Sequence, residues 1–166
     1  MKKRIILAVL LTLAKGISIA SATSGNVSGP AALAVAGVVA YNSSVLSSTD
    51  RRVMARLFAG HPVSFPDGRK ISVTASSIDC RTNPADIASR TCDLAFEDRR
   101  RGNRTVSRSG RTANELFATL TTAGVASGGA TGPSLAKVTK LVCTIDPNEI
   151  RQKTGSGADC VFEKGE

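Results

Sequence analysis

Several short stretches of the chain alternate apolar and polar residues with period two. In ISVTA, residues 71–75, Ile71, Val73 and Ala75 share one face. In CDLAFED, residues 92–98, Cys92, Leu94 and Phe96 point one way and Asp93 and Glu97 the other. Leu141, Cys143 and Ile145 repeat the pattern in KLVCTID, and Cys160 and Phe162 repeat it in DCVFE. Such alternation marks a strand with one buried face. After Ala75 the inward phase moves to Ile78 and Cys80, which predicts a bulge near Ser76 and Ser77. Pro66-Asp67-Gly68 carries turn chemistry, so residues 62–80 read as a hairpin. Residues 92–96 and 104–109 read as the arms of a second hairpin, with EDRRRGNR as its loop.

Three stretches have helical character instead. In DRRVMARLFA, residues 50–59, Val53, Met54, Leu57 and Phe58 form a stripe opposite Arg51, Arg52 and Arg56. Ser47 and Asp50 have capping-box spacing before it, and Gly60 suits its end. TANELFATLTTAGV, residues 112–125, opens on Thr112 and Glu115 in the T-x-x-E pattern. Leu116, Leu120 and Ala123 face inward there, and Gly124 with Val125 fits a Schellman end. AALAVAGVVAY, residues 31–41, follows Pro30 and is helical by propensity, weakened by Gly37. The expected fold is α+β: an antiparallel sheet of four to five strands, stapled by two disulfides. The helix over residues 114–123 covers one face of the sheet and the helix over residues 50–59 flanks it. The expected organisation is a cleaved signal peptide at 1–22, a loose N-terminal segment with an Ala-rich helix at 23–46, and one α+β domain at 47–166.

The N-terminus supplies the address. Lys2, Lys3 and Arg4 precede the apolar run of residues 5–14, and Ala20-Ser21-Ala22 is a small-x-small cleavage signal. Lys15 ends the apolar run well short of the roughly 20 residues that a spanning helix needs. The expected location is the periplasm or the outside of a bacterial cell, with no membrane span in the mature chain. The full chain has 22 basic and 13 acidic residues; losing Lys2, Lys3, Arg4 and Lys15 with the leader leaves 18 against 13, an excess of +5. An exported protein of this modest charge, with no aromatic residues among its clustered arginines, is not expected to bind nucleic acid.

Export also governs the cysteines. Cys80, Cys92, Cys143 and Cys160 are even in number, which in an oxidising compartment reads as two disulfides. Three pairings are possible; Cys80–Cys92 and Cys143–Cys160 are preferred because each joins consecutive strands. The spacings offer no pair of close ligands for zinc and no C-x-x-C redox motif.

Candidate chemistry reduces to one cluster. Six arginines fall within residues 99–111. Arg99, Arg100, Arg101, Arg104 and Arg108 are the candidate partner-binding residues, with an acidic protein or a cell-envelope polymer as partner. A face reading Arg104-Val106-Arg108 is expected to point to solvent. Catalytic signals fail one by one. Ser134-x-x-Lys137 and Lys153-Thr154-Gly155 resemble elements of penicillin-binding sites but lie only 19 residues apart, with no S-D-N between them. His61 is the one histidine, which excludes a multi-histidine metal site. No catalytic residue, cofactor or metal is assigned. The resulting expectation is an exported binding or inhibitor-type module. The alternatives are a structural envelope component or oligomer subunit, marked by an apolar patch on residues 31–41, or a small hydrolase using His61 with Asp79, Ser134 or Ser156.

Overall fold

A computed structural model describes residues 23–83, 85–126, 136–153 and 155–165, apart from the side chain of Ile87. The expected leader lies outside these residues. In chain order the elements are β1 (Thr23–Ser28), α1 (Gly29–Asn42), α2 (Ser48–Phe58), β2 (Ile71–Ala75), β3 (Ser77–Asn83), β4 (Asp86–Asp98), β5 (Gly102–Ser109), α3 (Gly110–Thr122), β6 (Ala136–Ile145), α4 (Pro147–Gln152) and β7 (Ala158–Lys164). The fold is α+β, with a wholly antiparallel sheet of seven strands rather than four or five, in the order β1-β7-β6-β3-β4-β5, and β2 beside β6.

The larger strand count has two local causes. β2 and β3 are one line of chain broken at Ser76: Ala75 lies opposite Leu141 and Ile78 opposite Val138, so both pair with β6 in a single register. The break shifts the inward phase from Ile71, Val73 and Ala75 to Ile78 and Cys80, where the alternation placed a bulge. The second cause is β1. Residues 23–28, expected to be loose, pair along their length with β7. Only Val27 and Gly25 of this strand face the core side, and the ring of Phe162 lies where a Cβ on Gly25 would stand, 2.6 Å from that position.

Two other expectations change. Residues 62–65 form no strand, so there is no 62–80 hairpin, although Gly68 N–H does donate to Phe65 C=O across the expected turn. The segment is held by a side chain instead. Asn148 on α4 accepts from the Phe65 N–H at 3.0 Å and donates to its carbonyl at 2.9 Å. The Thr112–Glu115 capping box does not form, because α3 begins earlier, at Gly110 (φ +60), and Glu115 pairs with Arg111 at 2.8 Å. The other helix ends follow the sequence. Ser47 Oγ accepts from Asp50 N–H and donates to the Asp50 carboxylate. Val125 N–H reaches Leu120 C=O and Gly124 N–H reaches Thr121 C=O, a Schellman end.

One face of the sheet is covered. α1 packs on β7 and β6, α3 packs on β4, and α1 touches both α2 and α3. Ala32, Val35, Ala36, Val39 and Ala40 are buried, so the Ala-rich helix belongs to the centre of the core. Gly37 allows the closest approach: the Phe58 ring of α2 occupies the place a Cβ would take. A core poor in aromatic residues is thereby closed by small side chains at short spacing.

The disulfides join Cys80 to Cys92 and Cys143 to Cys160, the preferred pairing, and no free cysteine remains. Each bridges directly opposed residues of adjacent strands, with Cα atoms 4.0 Å apart. All four cysteines are fully buried on the helix-covered face. Native and denatured protein should both titrate without free thiols before reduction. Replacing Cys143 and Cys160 together with serine should cost about 3 kcal/mol in urea unfolding; an unchanged midpoint would deny the bridge a stabilising role.

Candidate functional site: the arginine-rich hairpin

β4 and β5 pair from Thr91↔Ser109 to Asp98↔Gly102. The connection is therefore shorter than the expected loop and consists of Arg99, Arg100 and Arg101. Local chemistry builds it. The Arg101 N–H donates to Asp98 C=O at 3.2 Å, closing a β-turn. The Asp98 side chain accepts from the Arg100 N–H at 2.8 Å, a self-bonding turn favoured by aspartate at the first position. Gly102 then takes φ +73, the left-handed residue that returns a three-residue loop to its second strand.

This turn exposes all three arginines. No ion pair within 4.0 Å engages Arg99, Arg100, Arg101, Arg104 or Arg108 among the described residues. Asp98 acts on the backbone of the turn. Its carboxyl is held below the usual carboxylate range, first by the Arg100 N–H and further by the Arg101 N–H and the charges of Arg101 and Arg104.

Arg104 and Arg108 are not on the solvent face. Register places Arg104 opposite Phe96, Val106 opposite Leu94 and Arg108 opposite Cys92, and all three of those partners are buried. The Arg-Val-Arg face is thus the helix-covered one, and Val106 packs on the core. It tolerates charge because β5 ends the sheet, where long stems can lie along apolar surface while guanidinium groups reach water. Arg108 Nε donates to Asn42 Oδ1 at 2.7 Å, and Asn42 Nδ2 donates to Val38 C=O at 2.7 Å. This puts a cation beside the C-terminus of α1, where the helix dipole favours it. The five arginines therefore divide into an exposed trio on the turn and a half-buried pair along the edge strand.

Two concavities lie nearby. Where β2 leaves β4 beyond Ser76, a cleft of about 430 Å³ opens between Ser43, the residues 45–47, Ser72, Thr74 and the turn, its lining combining Arg99 and Arg100 with Asp50, Glu97 and Asp98. A second groove, about 340 Å³, runs between α1, α2 and α3. Its walls include Gly37, Val38, Tyr41, Met54, Phe58 and Leu116, with Arg51 and Glu115 among its polar lining. The groove was not foreseen as a concavity; the signal for it was Gly37 inside an otherwise apolar helix.

The remaining candidates are scattered. His61 is exposed in the loop after α2, while Asp79 lies on the open face of β3, bonded to Arg81 at 2.8 Å. Ser134 lies outside the described residues, and Lys137 stands on strand β6, opposite Asp79. Among the described residues, no cluster of three His, Cys, Asp or Glu could hold a metal ion, and no helix is long and apolar enough to cross a membrane. The class this defines is a disulfide-stapled α+β protein with a helix-covered antiparallel sheet. No protein-family model, curated protein or solved structure matches the chain.

A carboxylate whose folded pKa is depressed stabilises above its unfolded value and loses that contribution as pH falls through the folded one. The Arg100 amide resonance should therefore titrate with a midpoint below that of an ordinary aspartate, and Asp98→Ala should abolish the titration. A midpoint at the ordinary value would show that the turn is not held this way.

Proposed function

We propose that the chain is an exported binding module that captures an acidic protein or envelope polymer through the arginine-rich hairpin, without catalysing a reaction. The observation that carries this reading is a hydrogen-bonded turn presenting Arg99, Arg100 and Arg101 to solvent with no intramolecular ion pair among the described residues. Guanidinium groups left unused by the fold are available for bidentate contacts to carboxylates or phosphates. The two disulfides suit an oxidising compartment outside the cytoplasm, the periplasm or the cell exterior. Capture of this kind should weaken steeply with salt, because exposed charges are screened beyond about 8 Å at physiological ionic strength.

Immobilised polyglutamate and immobilised polyphosphate stand in for the two partner classes. The wild-type chain should be retained on one of them at low salt and released as salt rises. Replacing Arg99, Arg100 and Arg101 with serine should abolish retention and leave the Tm within about 2 °C. Undiminished retention of the triple variant would remove the turn from the binding surface.

A second reading is assembly. The groove between the helices is bordered by Tyr41, 79% exposed, and Phe58, 49% exposed, large side chains that a solvated helix face does not need. Under this reading the chain is an oligomer subunit of the envelope. Sedimentation across a wide concentration range should then show reversible association, reduced by Tyr41→Ser. A concentration-independent monomer would eliminate it.

A further inference from the structure

We infer that the outer edge of β5 is a strand-addition site for an extended partner segment of the pattern acidic-x-apolar-x-acidic. This rests on reading the hairpin as the surface that meets an acidic protein, and it adds how that protein is held.

The backbone geometry sets which residues are available. β5 is the last strand of the sheet, and among the described residues nothing pairs with its far side. Ala95 C=O accepts from Ser76 N–H, so the odd-numbered residues of this part of β4 turn their polar groups toward β2 and β3. Antiparallel alternation then directs the groups of Leu94 and Phe96 toward β5, where they meet Val106 and Arg104. The peptide groups of Asn103, Thr105 and Ser107 are left facing outward. One contact marks this directly: Arg108 Nη1 donates to Ser107 C=O at 3.3 Å. A long bond of this kind is readily exchanged for one from an incoming strand.

The side chains set what the incoming strand must carry. An antiparallel strand bonded to Thr105 and Ser107 places its own residues opposite Arg104, Val106 and Arg108 in non-hydrogen-bonded pairs, where side chains come closest. Two carboxylates around one apolar residue, at positions i, i+2 and i+4, match that row. The pattern reads the same from either end, so it suits either chain direction. A second copy of β5 is rejected: antiparallel pairing about Val106 sets Arg104 against Arg108 twice, and directly opposed like charges destabilise a pair. Generic protection of sheet edges does not account for the arginines, because β1, the opposite edge, carries no charged residue.

The test uses fluorescent peptides built on Glu-Thr-Val-Thr-Glu. One control permutes the order to Thr-Glu-Val-Glu-Thr at equal charge, which turns both carboxylates away from the arginine row; another keeps the order with both threonine amides N-methylated. Anisotropy with the full chain should show the ordered peptide binding about twofold to thirtyfold tighter than the permuted one, from two opposed charge pairs. N-methylation should abolish that preference. Thr105→Pro removes one outward N–H without touching the β4 ladder and should also abolish it; circular dichroism checks that this variant folds, and the N-methylated peptide decides. Equal binding of ordered and permuted peptides, indifference to N-methylation, or no binding at all would overturn strand addition. Polyglutamate retention lost in the serine variant of the turn separates these failures from failure of the parent reading, since it does not depend on peptide order.

Discussion

Everything in this structure rests on how closely two helices approach a sheet whose covered face carries four buried cysteines among its Ile, Leu, Val and Phe side chains. The disulfides solve the spacing. Sγ of Cys160 lies 3.4 Å from the Ala32 carbonyl oxygen of α1, and Sγ of Cys92 lies 3.6 Å from the Ala113 carbonyl oxygen of α3. Each bridge thus ties two strands together directly beneath a helix, and each helix offers an alanine at the contact. Sulfur fills the space that a Leu or Phe would take in a richer core, and it also restricts the unfolded chain. With the β7–β6 and β3–β4 pairs locked, β6 pairing with both β2 and β3 makes one continuous sheet. α1 and α3 then close its face side by side.

The sheet's edges follow from that arrangement. α3 starts directly after β5 and turns back over β4, so helix cover ends at the β5 row. Arg90 shows what happens to a cation inside the cover. It is buried against Thr82 and stacked 3.7 Å from the Phe117 ring centroid, and burial lowers its pKa. Arg104 and Arg108, on the same face at the rim, are only half-buried, and Arg108 is bonded to Asn42 at the end of α1. One covered face therefore treats three arginines in two ways, according to distance from the edge.

Much of this was legible in the chain. The phase change after Ala75, the cysteine pairing, the Ser47 cap and the Gly124 end each follow from a local rule that tertiary packing leaves intact. What failed did so for identifiable reasons. β1 has no alternation to read, because its only apolar inward residue is Val27 and a glycine sits where Phe162 needs room. Residues 62–65 lacked a partner strand, and Asn148, distant in sequence, supplied their hydrogen bonds. The face of β5 was misread because residue type alone decided it. The length of the turn would have corrected this: with Asp98 opposite Gly102, parity sends Arg104, Val106 and Arg108 to the side of Phe96, Leu94 and Cys92. The candidate site was therefore found by composition, and its division into a turn and an edge could only come from register.

That division bears on how the hairpin would choose a partner. Exposed arginines on a turn attract any polyanion and discriminate weakly, since they are free to move and are screened by salt. Arginines fixed along a strand sit at the spacing of the pleat, and Arg108 is further oriented by Asn42 at the end of α1. Under the proposed function, attraction and selection would fall to different residues of one hairpin: the turn would raise the encounter rate, as a positively charged surface does, and the edge row would test spacing and backbone shape. A phosphate polymer can satisfy the first requirement, whereas an extended polypeptide also matches the alternating donors and acceptors that Thr105 and Ser107 present at the spacing of a strand.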